Sequence, residues 1–169
     1  MRSKILVSAC LMGFNVRYNG TKKGSLQQTL AYLQQEQHLV IHCPELAAGL
    51  PVPRSPAEIC DGNGKDVMGG AAQIVEDSGQ DVTAHYQLAA WLALKTAQSE
   101  GCCAALLTDG SPTCGSQQIY DGTFSGVQRP GMGVAAALLE ANGIRVFSHQ
   151  QIAELVAFIE EREQTDDSM

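Results

Sequence analysis

Lys4-Ile5-Leu6-Val7-Ser8-Ala9 is a short, partly β-branched apolar run that breaks off at Cys10, and His38-Leu39-Val40-Ile41-His42 repeats the shape directly before Cys43. Runs of this length, closed by a change of composition, read as buried strands. A third, Ala104 to Thr108 (AALLT), leads into the turn-rich Asp109-Gly110-Ser111-Pro112 and then Cys114, and a fourth spans Ile144 to Phe147. Between them lie stretches of helical composition. These are Ser25 to Gln37, about Val82 to Ser99 with the apolar series Leu88, Trp91, Leu92 and Leu94, Val134 to Ala141, and Gln150 to Arg162. Strands alternating with crossovers long enough to hold a helix predict an α/β fold. The expected architecture is a single Rossmann-like, doubly wound and mainly parallel sheet with helices on both faces. Pro51 to Asp81 departs from this rhythm: Pro51, Pro53 and Pro56 exclude a helix, and Asp61-Gly62-Asn63-Gly64 is a turn signal between β-prone pieces. That segment is expected to be an inserted, hairpin-like loop. Residues 1–163 are assigned to one α/β domain and 164–169 to a polar acidic tail.

The composition narrows the function. In 169 residues, 44% are apolar and 17% charged, which suits a packed domain rather than a disordered chain. Eleven Lys plus Arg stand against 18 Asp plus Glu, a net charge of −7. That is the wrong sign for a protein held to a polynucleotide by counterion release. No apolar run is long enough for a membrane span, and the N-terminus lacks a signal-peptide h-region, so a cytoplasmic protein is expected. The fingerprint G-x-G-x-x-G does not follow the first strand, where Ala9-Cys10-Leu11-Met12-Gly13 stands instead, which argues against NAD.

Six cysteines in a reducing compartment are more readily explained as buried residues, nucleophiles or metal ligands than as disulfides. In an open parallel sheet the strands' carboxyl ends share one edge, and ligands bind in the crevice beyond it. Cys10 and Cys43 each follow a predicted strand and Cys114 lies a few residues past a third, so the three are expected to meet there. Cys102 and Cys103 precede their strand and belong near the opposite edge, and with Cys60 they are taken as packing residues. Three thiolates without a fourth suit either catalytic zinc or an iron-sulfur cluster with one iron open. A non-catalytic iron-sulfur or zinc sensor or sulfur-transfer module is the alternative. A cysteine hydrolase using Cys10 lacks a histidine placed by sequence to activate it.

Three motifs together carry a family resemblance. They are Ser8-Ala9-Cys10-Leu11-Met12-Gly13 with Val16-Arg17-Tyr18-Asn19-Gly20; Cys43-Pro44-Glu45 with Gly49-Leu50-Pro51 and Pro53-Arg54; and Gly110-Ser111-Pro112-Thr113-Cys114-Gly115. The chain resembles the family known as domain of unknown function 523, some of whose members are thiouracil desulfidases. Met12 and Thr113 depart from the Leu and Ser common there. The resemblance implies that Cys10, Cys43 and Cys114 hold a 4Fe-4S cluster by three irons, with the fourth open to a thiocarbonyl sulfur. It also implies hydrolytic removal of sulfur from a thiolated pyrimidine base or nucleotide, such as thiouracil or thiouridine monophosphate, giving the oxo product and hydrosulfide. Sulfur and iron match in softness, which supports the chemistry independently of the name.

Proton transfer is still required. Glu45, two residues past Cys43, is the candidate acid-base, and Ser111, three residues before Cys114, is the candidate hydrogen-bond donor or relay. Arg17, Tyr18 and Arg54 are candidates for substrate binding, the guanidinium groups for a phosphate or pyrimidine oxygen and the phenol for packing on a base. The glycine-rich Asp121 to Gly133, ahead of the helix at Val134, reads as a lid, or as a phosphate contact through the N-H groups of the helix start. The expected partner is a small molecule, with no polynucleotide and no membrane, and with homo-oligomerisation open.

Overall fold

The computed structural model describes residues 4–8, 38–50, 55–108 and 111–167. The main sheet contains β1 (Lys4–Ser8), β2 (His38–His42), β5 (Cys102–Leu107) and β8 (Arg145–Ser148) in the order β2-β1-β5-β8. All its pairings are parallel, as expected. The strand order runs outward from β1 to β2, then turns back across β1 to β5 and β8. The crevice between the carboxyl ends of β1 and β5 is therefore the topological switch point, the place where α/β sheets bind ligands.

Side-chain alternation divides the core into two layers. Leu6, Ala105, Leu107 and Val146 face α3 (Thr83–Glu100) and α4 (Val134–Ala141), while Ile5, Val7, Ala104, Leu106 and Phe147 pack against Leu155 and Ile159 of α5 (Ile152–Asp167). Helices thus cover both faces. Helix α3 buries Ala89, Ala90, Ala93, Leu94 and Ala97, and leaves Leu88 and Trp91 of the apolar series exposed. Small side chains let this helix lie close to the sheet. It ends at Gly101, whose φ of 71° is the left-handed conformation that favours glycine after a helix. Helix α5 continues to Asp167, into the segment assigned to the acidic tail.

The expected insertion is present in a different form. Strands β3 (Ala57–Cys60) and β4 (Gln73–Glu76) pair antiparallel, but α2 (Gly64–Met68) lies between them. Asp61 to Gly64 does turn the chain out of β3, yet Asn63 then caps α2. Its side chain accepts from the Asp66 N-H while the Asp66 carboxylate accepts from the Asn63 N-H, a reciprocal capping box. A second antiparallel pair, β6 (Gln118–Tyr120) with β7 (Gln128–Pro130), brackets the first part of the glycine-rich region ahead of α4.

Candidate active site

The site is built from the carboxyl ends of β1 and β2 and the loop that follows β5. At the end of β1, the buried Ser8 hydroxyl accepts from the Thr108 N-H at 3.2 Å and donates toward Cys114 Sγ at 3.9 Å. Cys114 thereby sits against the end of β1, two residues before Cys10. On the other side of β1, Ser8 registers with His42, so Cys43 leaves β2 at the same edge. Cys43 then opens the short helix α1 (Pro44–Ala47), with Pro44 in its first turn and Glu45 next. Cys43 and Cys114 both lie at this edge, while Cys10 lies outside the described residues, as do Arg17, Tyr18 and Arg54.

Glu45 joins α1 to the Cys114 loop. Its Oε1 accepts hydrogen bonds from Ser111 Oγ at 3.2 Å and from Thr113 Oγ1 at 2.8 Å. Ser111 Oγ in turn accepts from the N-H groups of Thr113 at 3.0 Å and Cys114 at 3.3 Å. A hydroxyl has one proton and two acceptor sites, so the two backbone donors direct the proton of Ser111 onto Glu45. Ser111 therefore shapes the turn and also faces the carboxylate. A carboxylate accepting from two hydroxyls is held as an acceptor, the state a general base needs.

The loop is anchored from below by α4. The N-H of Val134 bonds to the Pro112 carbonyl, and those of Ala135 and Ala136 bond to the Thr113 carbonyl. This corrects the expected phosphate contact, because these first-turn donors are spent on the loop that carries Cys114. The approach is so close that a Cβ on Gly133 would lie 2.5 Å from the Pro112 carbonyl oxygen, and one on Gly64 would lie 2.2 Å from the Gly133 carbonyl oxygen. The segment 121–127 is held separately, by the buried Glu58 carboxylate accepting from the N-H groups of Gly122 and Phe124.

The remaining thiols are set apart by chemistry and place. Cys102 and Cys103 open β5 at the opposite edge, Cys102 registering with Lys4. Burial, followed by the nearby Cys103 and Glu100, pushes the Cys102 thiol up to about 11. Burial and then the charges of Asp61 and Glu58 also raise Cys60, so neither thiol is poised as a thiolate at neutral pH. Cys43 and Cys114 are both thiols rather than half-cystines. His42, beside Cys43, is half-buried, and that burial lowers its pKa, which keeps the imidazole neutral. Further along the same edge, a polar cavity of about 690 Å³ is lined by Gln117, Gln118, Gln128, Ser148 and Gln151 among others, and by none of the expected site residues.

The family model described as 2-thiouracil desulfurase matches residues 5–151, which takes in Cys43, Glu45, Ser111 and Cys114. The chain belongs to this family. Among solved structures, the 4Fe-4S-dependent thiouracil desulfidase TudS matches with a TM-score of 0.84 and 44% sequence identity, covering 94% of this chain and 99% of that one. The uncharacterized protein YbbK of Bacillus subtilis (strain 168) is 45% identical over 152 residues, 90% of this chain and 99% of its own length. Within this desulfurase-family chain, Ser8 and Thr113 contact the candidate residues Cys114 and Glu45, although the sequence assigned neither a site role. For Ser8 the available signal is its place at a strand end next to a ligand candidate, and for Thr113 it is a hydroxyl directly before one.

Proposed function

We propose that the protein is a 4Fe-4S-dependent, non-redox desulfidase that hydrolyses the carbon-sulfur bond of a thiolated pyrimidine base or nucleotide. The observation that carries this reading is the joining of Cys114 and the Cys43 helix through Ser111, Thr113 and Glu45 at the switch point. Soft, reduced thiols beside a carboxylate already engaged by two hydroxyls fit an iron-sulfur cluster better than a hard cation, which would compete for that carboxylate. Cys43 and Cys114, with Cys10 as the third, would hold the cluster. When bound, the group supplies a thiophilic Lewis acid for the substrate sulfur.

The chain's own residues then manage protons. Water adds its oxygen to the carbon that bears sulfur, the C-S bond breaks, and the products are the oxo compound and hydrosulfide, with no change of oxidation state. Glu45 takes one proton of the attacking water and returns it by way of Ser111 to the departing sulfur, which leaves as hydrosulfide, while the second water proton goes to solvent. Arg17, Tyr18 and Arg54 hold the pyrimidine or its phosphate. Residues 1–163 act as one domain, in the cytoplasm, on a small molecule rather than a polynucleotide. Among the described residues no helix is long and apolar enough to cross a membrane. A non-catalytic sensor would leave the Glu45-Ser111 pair only the structural task of joining α1 to the Cys114 loop.

The test is anaerobic reconstitution, iron and sulfide quantification, and assay of hydrosulfide release from thiouracil and its nucleotides. A protein that binds no iron, or one that binds a cluster and releases no hydrosulfide, overturns the reading.

A further inference from the structure

We propose that Thr113 is the positioning residue for Glu45: its hydroxyl holds the carboxylate in place while the proton of Ser111 changes partner. This rests on the proposed acid-base role of Glu45. Both hydroxyls donate to the same oxygen, Oε1, but they differ in what else they do. Ser111 is the group assigned to move a proton, so its bond to Glu45 breaks during turnover. Thr113 has no such duty. It is fully buried, and its backbone is fixed on both sides: its N-H donates to Ser111 Oγ and its carbonyl accepts from Ala135 and Ala136 at the start of α4.

The bond from Thr113 is also the shorter of the two, at 2.8 Å against 3.2 Å. A carboxylate that loses the Ser111 hydroxyl during turnover loses one of the donors that fix its oxygen. One held by a rigid second donor keeps its aim through the cycle. Because β-branching restricts the side chain to few rotamers, threonine presents its hydroxyl in a defined direction, and valine reproduces the shape without the donor.

The experiment compares Thr113→Val, Thr113→Ser and Glu45→Ala singly, and Thr113→Val in the Glu45→Ala background. Iron and sulfide content, kcat and KM for hydrosulfide release from 2-thiouracil, and crystal structures of the wild type and of Thr113→Val are recorded. Loss of one hydrogen bond to a charged group predicts a fall in kcat of roughly 10- to 100-fold for Thr113→Val. KM and cluster content should match the wild type, and Thr113→Ser should restore most of the rate. In the Glu45→Ala background the same substitution should change the remaining rate by less than about twofold. Wild-type kcat in Thr113→Val, an equal loss in both backgrounds, or a loss of iron in step with rate overturns the proposal. Should the wild type release no hydrosulfide, the functional reading falls by itself and the crystal structures still decide: a Glu45 carboxylate displaced in Thr113→Val supports the positioning role, and an unmoved one overturns it.

Discussion

Ser8 Oγ and Cys114 Sγ lie 3.9 Å apart across the switch point of the sheet, linking the end of the first strand to the loop after the fifth. The same hydroxyl accepts from the Thr108 N-H, so it serves the backbone of β5's exit and the sulfur together. Hydrogen bonds to cluster sulfurs tune the centre they hold. Ser8→Ala is expected to fold with a stability loss of about 1 kcal/mol, from loss of the buried hydrogen bond between Ser8 and the Thr108 N-H. It should assemble a cluster that loses iron to a chelator faster than the wild type. Thermal melting and timed iron release check both expectations; wild-type iron retention would detach Ser8 from the metal site.

Two glycines separate the cost of backbone strain from the cost of moving the site. Gly133 has an ordinary φ of −74°, but a Cβ there meets the backbone of Pro112 and Thr113. Gly143 has a φ of 82°, with nothing within 4 Å of a Cβ. Gly143→Ala should cost about 1–2 kcal/mol through left-handed strain and leave activity intact. Gly133→Ala must displace the Ser111 to Cys114 loop, and is expected to cost more than tenfold in kcat/KM even where melting shows a folded protein. Paired melting curves and steady-state assays distinguish the two.

The main sheet was legible because each of its strands is a bounded apolar run, and α4 was read at its true limits, Val134–Ala141, because glycines precede it and Asn-Gly follows. Strands β6 and β7 were not, since Gln118-Ile119-Tyr120 and Gln128-Arg129-Pro130 are three residues each and largely exposed, with little apolar pattern to display. In the insertion, Asp61 to Gly64 carries turn and helix-cap chemistry in the same residues, and the capping box with Asp66 decides between them. Strand ends placed Cys43 and Cys114 at one edge, and the short spacing from each ligand candidate pointed to Glu45 and Ser111, which the fold joins by a hydrogen bond. The bond from Thr113 to Glu45 was not legible, because it joins residues 68 apart through a loop whose seat on α4 is a tertiary fact.

Cysteine substitutions should divide by edge. Cys43→Ala and Cys114→Ala are expected to lose most of the iron after anaerobic reconstitution, and Cys10→Ala likewise as the third proposed ligand. Cys60→Ala and Cys103→Ala should retain wild-type iron and sulfide, since Cys103 Sγ donates toward the Lys4 carbonyl at the opposite edge and Cys60 Sγ toward the carbonyls of Glu58 and Gly122. A full, active cluster in Cys114→Ala would remove the ligand set.

Cys102 supplies a pH test that involves no metal. Burial raises its thiol from 9.0 in the unfolded chain to about 11 in the fold. Between these values the folded protein retains a proton that the unfolded chain has released, so this contribution to stability is full below pH 9 and is lost as the pH rises through 11. Cys102→Ala removes the titrating group at the cost of a small cavity, which makes it less stable than the wild type at pH 8. Its deficit should shrink steadily from pH 9 to 11, because only the wild type loses the thiol's contribution over that interval. Denaturant melts of the two proteins across the range measure this directly; a deficit that stays constant with pH would show that Cys102 does not titrate above its ordinary range in the fold.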